Sequence, residues 1–112
     1  MVLNEPMVFT GAGHFLGVHA PGKRGLSSFL SAAHHAALCQ AEGGRVIRSL
    51  RSDCKIGTTF SYSHIEPYRH YAEKDNVAAA RADALLNRMF LEPLLGMGYP
   101  TQTLKVLERI ER

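Results

Sequence analysis

Met1-Val2-Leu3-Asn4-Glu5-Pro6 is the stretch on which the reading of the fold turns. Met1 to Leu3 is short and apolar, as the last residues of a buried strand would be. Asn4-Glu5-Pro6 interrupts that run, because Pro6 lacks an amide donor and biases Glu5 toward extended geometry. A strand that ends in a polar, carboxylate-bearing turn matches the end of a parallel barrel strand, where such folds place their chemistry.

Outward from that motif, a glycine-rich segment runs from Gly11 through Gly25, with Pro21-Gly22 as a turn. The pattern predicts a long loop there, and loops of that length are usually functional or disordered. Ser27 or Ser28 is the expected N-cap of a long helix reaching about Ser49, with Leu30, Ala33, Ala37, Leu38, Ala41, Val46 and Leu50 near helical spacing. Gly43-Gly44 inside it costs roughly 1 kcal/mol each against alanine, which implies close approach to another element. Ile56 to Tyr62 reads as a strand, through Thr58-Thr59 and Phe60. Asp75 is the expected N-cap of a second long helix with a stripe at Val77, Ala78, Ala82, Leu85, Leu86, Met89 and Phe90, kinked or stopped at Pro93. Gly96, Gly98 and Pro100 form a turn, and Leu104, Leu107 and Ile110 mark a short closing amphipathic helix.

The order βαβα implies a parallel pair joined by a crossover. Two strands do not make a self-sufficient parallel sheet, since such sheets are covered on both faces and extended by neighbours. The pattern therefore reads as a slice of a larger α/β protein.

Composition narrows the classes. The 112 residues are 46% hydrophobic and 21% charged, with a formal charge of +3, which is globular and only mildly basic. Arg45, Arg48, Arg51 and Lys55 are interrupted by Glu42 and Asp53, so they read as a solvated helix face and no nucleic-acid partner is expected. No run of about 18 apolar residues predicts a membrane span. Cys39 and Cys54 lack a short metal-type spacing and are expected as buried free thiols. The N-terminal residues do not resemble an export signal, and the expected location is cytoplasmic.

A carboxyl group at such a strand end, here Glu5, can protonate a glycosidic oxygen, and the Asn4 amide can bond a sugar hydroxyl. Alone, the tripeptide is more often a strand-to-loop turn with a solvated glutamate than a catalytic motif. His34 and His35 are adjacent on a helix and point apart, and His14, His19, His64 and His70 are scattered, so no metal is expected. Gly11-Ala12-Gly13 with Gly17 misses the dinucleotide fingerprint.

The blocks along the chain resemble glycoside hydrolase family 1. They run in order from Leu3-Asn4-Glu5-Pro6 through Gly17-Val18-His19-Ala20-Pro21-Gly22, His34-His35, Ile56-Gly57 and Pro67. Asp83, Asn87-Arg88-Met89-Phe90-Leu91-Glu92-Pro93 and Gly98-Tyr99-Pro100 complete the series. The resemblance implies a partial (β/α)₈ TIM barrel, with residues 1–112 as one incomplete segment from about the end of strand 4 through helix 5. It implies a retaining β-glucosidase-type hydrolase in which Glu5 is the acid/base and Asn4 binds the sugar's 2-hydroxyl, with a β-glucoside or related oligosaccharide as substrate and no cofactor. The family's nucleophile, a second glutamate in a Thr-Glu-Asn-Gly-like setting, has no counterpart here: Glu42, Glu66, Glu73, Glu92, Glu108 and Glu111 lack that context. The isolated chain is thus expected to be inactive. Met7 stands where many members have tryptophan, and Ser61 where many have asparagine. The other reading is a non-catalytic remnant that associates with a complementary barrel segment, because the surface Leu85, Leu86, Met89, Phe90, Leu94 and Leu95 lacks partner strands.

Overall fold

Val2 donates its amide to Gly57 O at 2.9 Å, Thr59 donates to Leu3 O at 3.3 Å, and Glu5 donates to Thr59 O at 3.0 Å. These bonds define a parallel pairing centred on an Asn4–Thr59 bridge in the computed structural model, which describes residues 1–111. The parallel pair with a helical crossover expected from βαβα order is present. The expected strand over 56–62 is not: among the described residues the pairing stays a single bridge with extended flanks. Pro6 opens a helix directly after Glu5, so the partner chain leaves the ladder and the Ser61 amide goes instead to the Met7 sulfur.

The chain divides into two units, Met1–Ser61 and the stretch from Tyr62 onward. In the first, α1 (Pro6–Thr10) runs on into a π-helical segment, Gly11–Leu16. This corrects the long loop expected from Gly11. Pro6 at the first helical position has φ set for a helix, and the buried Thr10 hydroxyl donates to Pro6 O at 2.6 Å. Glycine is tolerated within the π segment because the returning chain packs on it: a Cβ on Gly13 would lie 2.5 Å from Ala20 O. Gly17, at φ 72°, ends the segment in a left-handed cap bonded to Ala12 O.

Helix α2 (Leu26–Leu50) is the crossover. Its N-cap is Gly25 at φ 97°, with no side-chain cap. Neither Ser27 nor Ser28 caps it, and the Ser28 hydroxyl instead meets His14 Nδ1 at 3.3 Å. Phe29, Leu30, Ala33 and Ala36 are buried, a spacing that keeps one helical face inward. Phe15 packs on Phe29 with ring centroids 5.5 Å apart. Burying Phe29 and Leu30 away from water stabilises by about 1.5–3 kcal/mol each. Leu38, Val46 and Leu50 remain exposed, so the apolar surface of α2 extends beyond the face its own unit covers. The thiols are free but not buried as expected: Cys39 is exposed and Cys54 half-buried, because Cys39 lies on this uncovered surface.

In the second unit, α3 (Glu73–Asp83) has Ala72 as its N-cap, three residues before the expected Asp75. Asp75 is inside the first turn. There it takes the Arg69 amide at 3.1 Å and Arg69 Nε at 2.8 Å, a charge-assisted pairing stronger than a neutral cap bond. No α3 residue is buried. Burial begins in the π-helical segment Ala84–Arg88 and in α4 (Met89–Leu91), with Ala84, Asn87, Met89 and Phe90 inside. Pro93 does not break the chain's helical course; it joins a 3₁₀ turn, Glu92–Leu95, that ends at Gly96. Of the expected apolar surface, Met89 and Phe90 are core while Leu86 and Leu95 are exposed. A 3₁₀ turn at Lys105–Leu107 leads into α5 (Glu108–Glu111), with Leu107 fully buried as the amphipathic pattern requires.

Candidate functional site

Residues 2–5 and 57–59 run in the same direction, so Asn4, Glu5 and Thr59 share the C-terminal end of the pairing. Glu5 has φ 45° and ψ 64°, and among the described residues no other non-glycine residue has positive φ. This differs from the extended geometry expected before Pro6. The Glu5 amide is held by Thr59 O while its carbonyl takes Val8 N–H at 2.9 Å. The chain must change from strand to helix within that one residue. A left-handed glutamate costs of order 1–3 kcal/mol, and such strain clusters at sites where geometry matters.

The Glu5 amide also meets Thr59 Oγ1 at 3.2 Å, and Thr59 Oγ1 donates to Asn4 Oδ1 at 2.7 Å. The Thr58 hydroxyl donates to Leu3 O on the same rung. Asn4 is exposed and Glu5 half-buried. One step further, the Ser61 amide donates to Met7 Sδ at 3.3 Å. Met7 and Ser61, expected above as two departures from the resembled pattern, are therefore neighbours. Thr59 was legible in the sequence only as a strand former; the signal that could have flagged it is a hydroxyl opposite a candidate active asparagine.

The histidines do not converge. His35 Nδ1 contacts its own helix at Ser31 O, 2.8 Å away, and is exposed. His64 Nε2 pairs with Glu66 Oε1 at 2.9 Å, and His70 approaches the same carboxylate at 4.0 Å. His64, through a hydrogen bond and its charge, and then His70 hold the Glu66 carboxyl below its ordinary value. Among the described residues no three His, Cys, Asp or Glu side chains gather around a metal position. An open groove of about 730 Å³ beside α2 is lined by Leu3, Phe9, His14, Ser28, His35 and Cys39. No described helix is long and apolar enough to cross a membrane.

A strained glutamate beside a hydroxyl-anchored asparagine, at the C-terminal end of a parallel pair, is the arrangement against which known proteins can be compared. The glycosyl hydrolase family 1 model matches residues 1–112. This chain belongs to glycosyl hydrolase family 1. It is 35% identical to beta-glucosidase A of Acetivibrio thermocellus over 106 residues, which cover 95% of this chain and 23% of that relative. It is 33% identical to beta-glucosidase A of Thermotoga maritima over 94% of this chain and 24% of the relative. Among solved structures it resembles a psychrophilic beta-glucosidase from Micrococcus antarcticus, with a TM-score of 0.87 at 33% identity over 96% of this chain and 24% of that one. The Thermotoga maritima beta-glucosidase in complex with glucoimidazole also has a TM-score of 0.87, at 32% identity over 98% and 25%. The family 1 chain thus spans about a quarter of the length of the relatives it matches.

Proposed function

We propose that this chain is the acid/base-bearing segment of a retaining β-glucosidase, from about the end of barrel strand 4 through helix 5. The observation that carries the reading is Glu5, held in a left-handed turn beside Asn4 at the C-terminal end of the parallel pairing. Glu5 donates a proton to the glycosidic oxygen as the leaving group departs. It then removes a proton from water as the glycosyl-enzyme is hydrolysed. Asn4 donates from its amide to the sugar's 2-hydroxyl, a contact that strengthens as the transition state forms. The substrate is a terminal β-glucoside or a related oligosaccharide, and no cofactor takes part. Free thiols favour a cytoplasmic setting.

Double displacement needs a second carboxylate about 5–5.5 Å from the first, and we assign that nucleophile to a barrel segment outside these 112 residues. The test is a hybrid in which this chain replaces its counterpart in the Acetivibrio thermocellus beta-glucosidase A. The hybrid hydrolyses an aryl β-glucoside, and Glu5→Gln lowers its turnover by about 10²–10⁴-fold, most for poor leaving groups. A Glu5→Gln hybrid as active as its parent overturns the assignment.

A second reading is favoured by Leu38, Val46, Leu50 and Leu95, all more than 45% exposed: the chain acts as an associating piece that docks on a complementary barrel segment. A clean monomer with little binding of apolar dyes removes that reading.

A further inference from the structure

We propose that Thr59 is a positioning residue whose hydroxyl sets the carboxamide orientation of Asn4. The inference rests on the roles given above to Asn4 and Glu5. A threonine hydroxyl has one proton and two acceptor sites. Thr59 Oγ1 takes the Glu5 amide at 3.2 Å and gives its own proton to Asn4 Oδ1 at 2.7 Å.

That allocation leaves one consistent orientation for Asn4. Its oxygen is engaged by Thr59, so its planar amide presents the nitrogen and both protons on the other side. A flipped carboxamide would lose the Thr59 proton as partner and offer an acceptor where a donor is needed. The backbone of Thr59 grips the residues on either side of Asn4, donating to Leu3 O at 3.3 Å and accepting from Glu5 at 3.0 Å. Thr59 thereby fixes the segment on both sides of the asparagine and the side chain between. Valine keeps the β-branched shape and the backbone bonds but removes the hydroxyl. Serine keeps the hydroxyl.

The first test is NMR of the ¹⁵N-labelled full chain. In Thr59→Val the Asn4 side-chain amide signals move toward their unfolded-chain positions, while the Glu5 amide, still bonded to the residue 59 carbonyl, stays protected. Thr59→Ser restores the Asn4 signals. Unmoved Asn4 signals in a folded Thr59→Val chain overturn the proposal, as does a serine variant that behaves like valine. Should the valine variant not fold, the parent chain decides: Asn4 side-chain amide shifts at unfolded-chain values there overturn the proposal, and shifts displaced from those values support it. The second test uses the hybrid glucosidase. Thr59→Val lowers kcat/KM on a β-glucoside by about tenfold and leaves hydrolysis of the matching 2-deoxyglucoside unchanged; equal losses on both refute the positioning role. An active Glu5→Gln hybrid would instead mark failure of the acid/base reading, with the NMR result standing by itself.

Discussion

Gly43→Ala and Gly44→Ala make a matched pair of perturbations one residue apart on α2. Each replaces glycine by the best helix former and should gain roughly 1 kcal/mol from propensity alone. What the added methyl meets differs. At Gly44 it would lie 3.7 Å from Ile56 Cγ2, an ordinary contact; at Gly43 it would lie 2.8 Å from Val2 Cγ1. Valine is stiff at χ1, and Val2 is held by its amide bond to Gly57 O, so neither atom yields cheaply. Overpacking of this kind costs about 1–3 kcal/mol. Gly43→Ala is therefore neutral to about 2 kcal/mol destabilising, and Gly44→Ala about 1 kcal/mol stabilising. Urea unfolding followed by circular dichroism should separate the two midpoints by about 1 M. Adding Val2→Ala should relieve the alanine at position 43, with a coupling of about 1–2 kcal/mol in a double-mutant cycle. If Gly43→Ala stabilises as much as Gly44→Ala, or Val2→Ala shows no coupling, the close approach of α2 to the Asn-Glu-Pro strand is wrong.

Asn87 donates to Ser63 O and Asp83 Oδ1 at 2.8 and 2.7 Å and accepts from the Ser63 amide at 3.1 Å. Asn87→Ala should destabilise by about 1–3 kcal/mol, read as a lower urea midpoint, and a change under 0.5 M (roughly,) would contradict it. Arg69, through its hydrogen bonds, holds the Asp75 carboxyl below its ordinary value. A depressed folded-state value contributes stability above the unfolded pKa and loses it as pH falls through the folded one. Acid unfolding of the parent should thus lose this contribution below the usual carboxylate range, while Asp75→Asn starts less stable at neutral pH and shows a shallower acid limb. Identical acid limbs would reject the pairing. Homogeneous chain should show no turnover of an aryl β-glucoside, and robust turnover would mean that a second carboxylate within it completes the site.

Much of the architecture was written in local pattern. The 3.6-residue spacing through Leu30 and Ala33 located α2, the glycine pair announced its close approach, and Leu107 marked the closing helix, because periodicity reports which face must leave water. Local signals failed where two local options were close in energy. The Gly11–Gly17 run could be loop or helix, and the packing of Ala20 against Gly13 favoured the π segment. Ser27 and Ser28 were adequate caps, but the Ser28 hydroxyl is engaged with His14. Asp75 was an adequate cap, but Arg69 was a stronger partner. Ile56 to Tyr62 had strand propensity, but the described pairing is a single bridge at Thr59, because Pro6 turns the facing chain into a helix.

The candidate site divides in the same way. The family to which the chain belongs, and the proposal that Asn4 and Glu5 act as a pair, came from residue types in sequence order alone. The left-handed turn at Glu5, the meeting of Met7 with Ser61 and the grip of Thr59 on Asn4 did not, since each joins residues more than fifty positions apart or depends on such a contact. A linear pattern records which groups a chain owns and which face of an element is apolar. Only the folded chain decides which hydroxyl reaches which amide, because that depends on the register of one parallel pairing held by a 25-residue crossover helix.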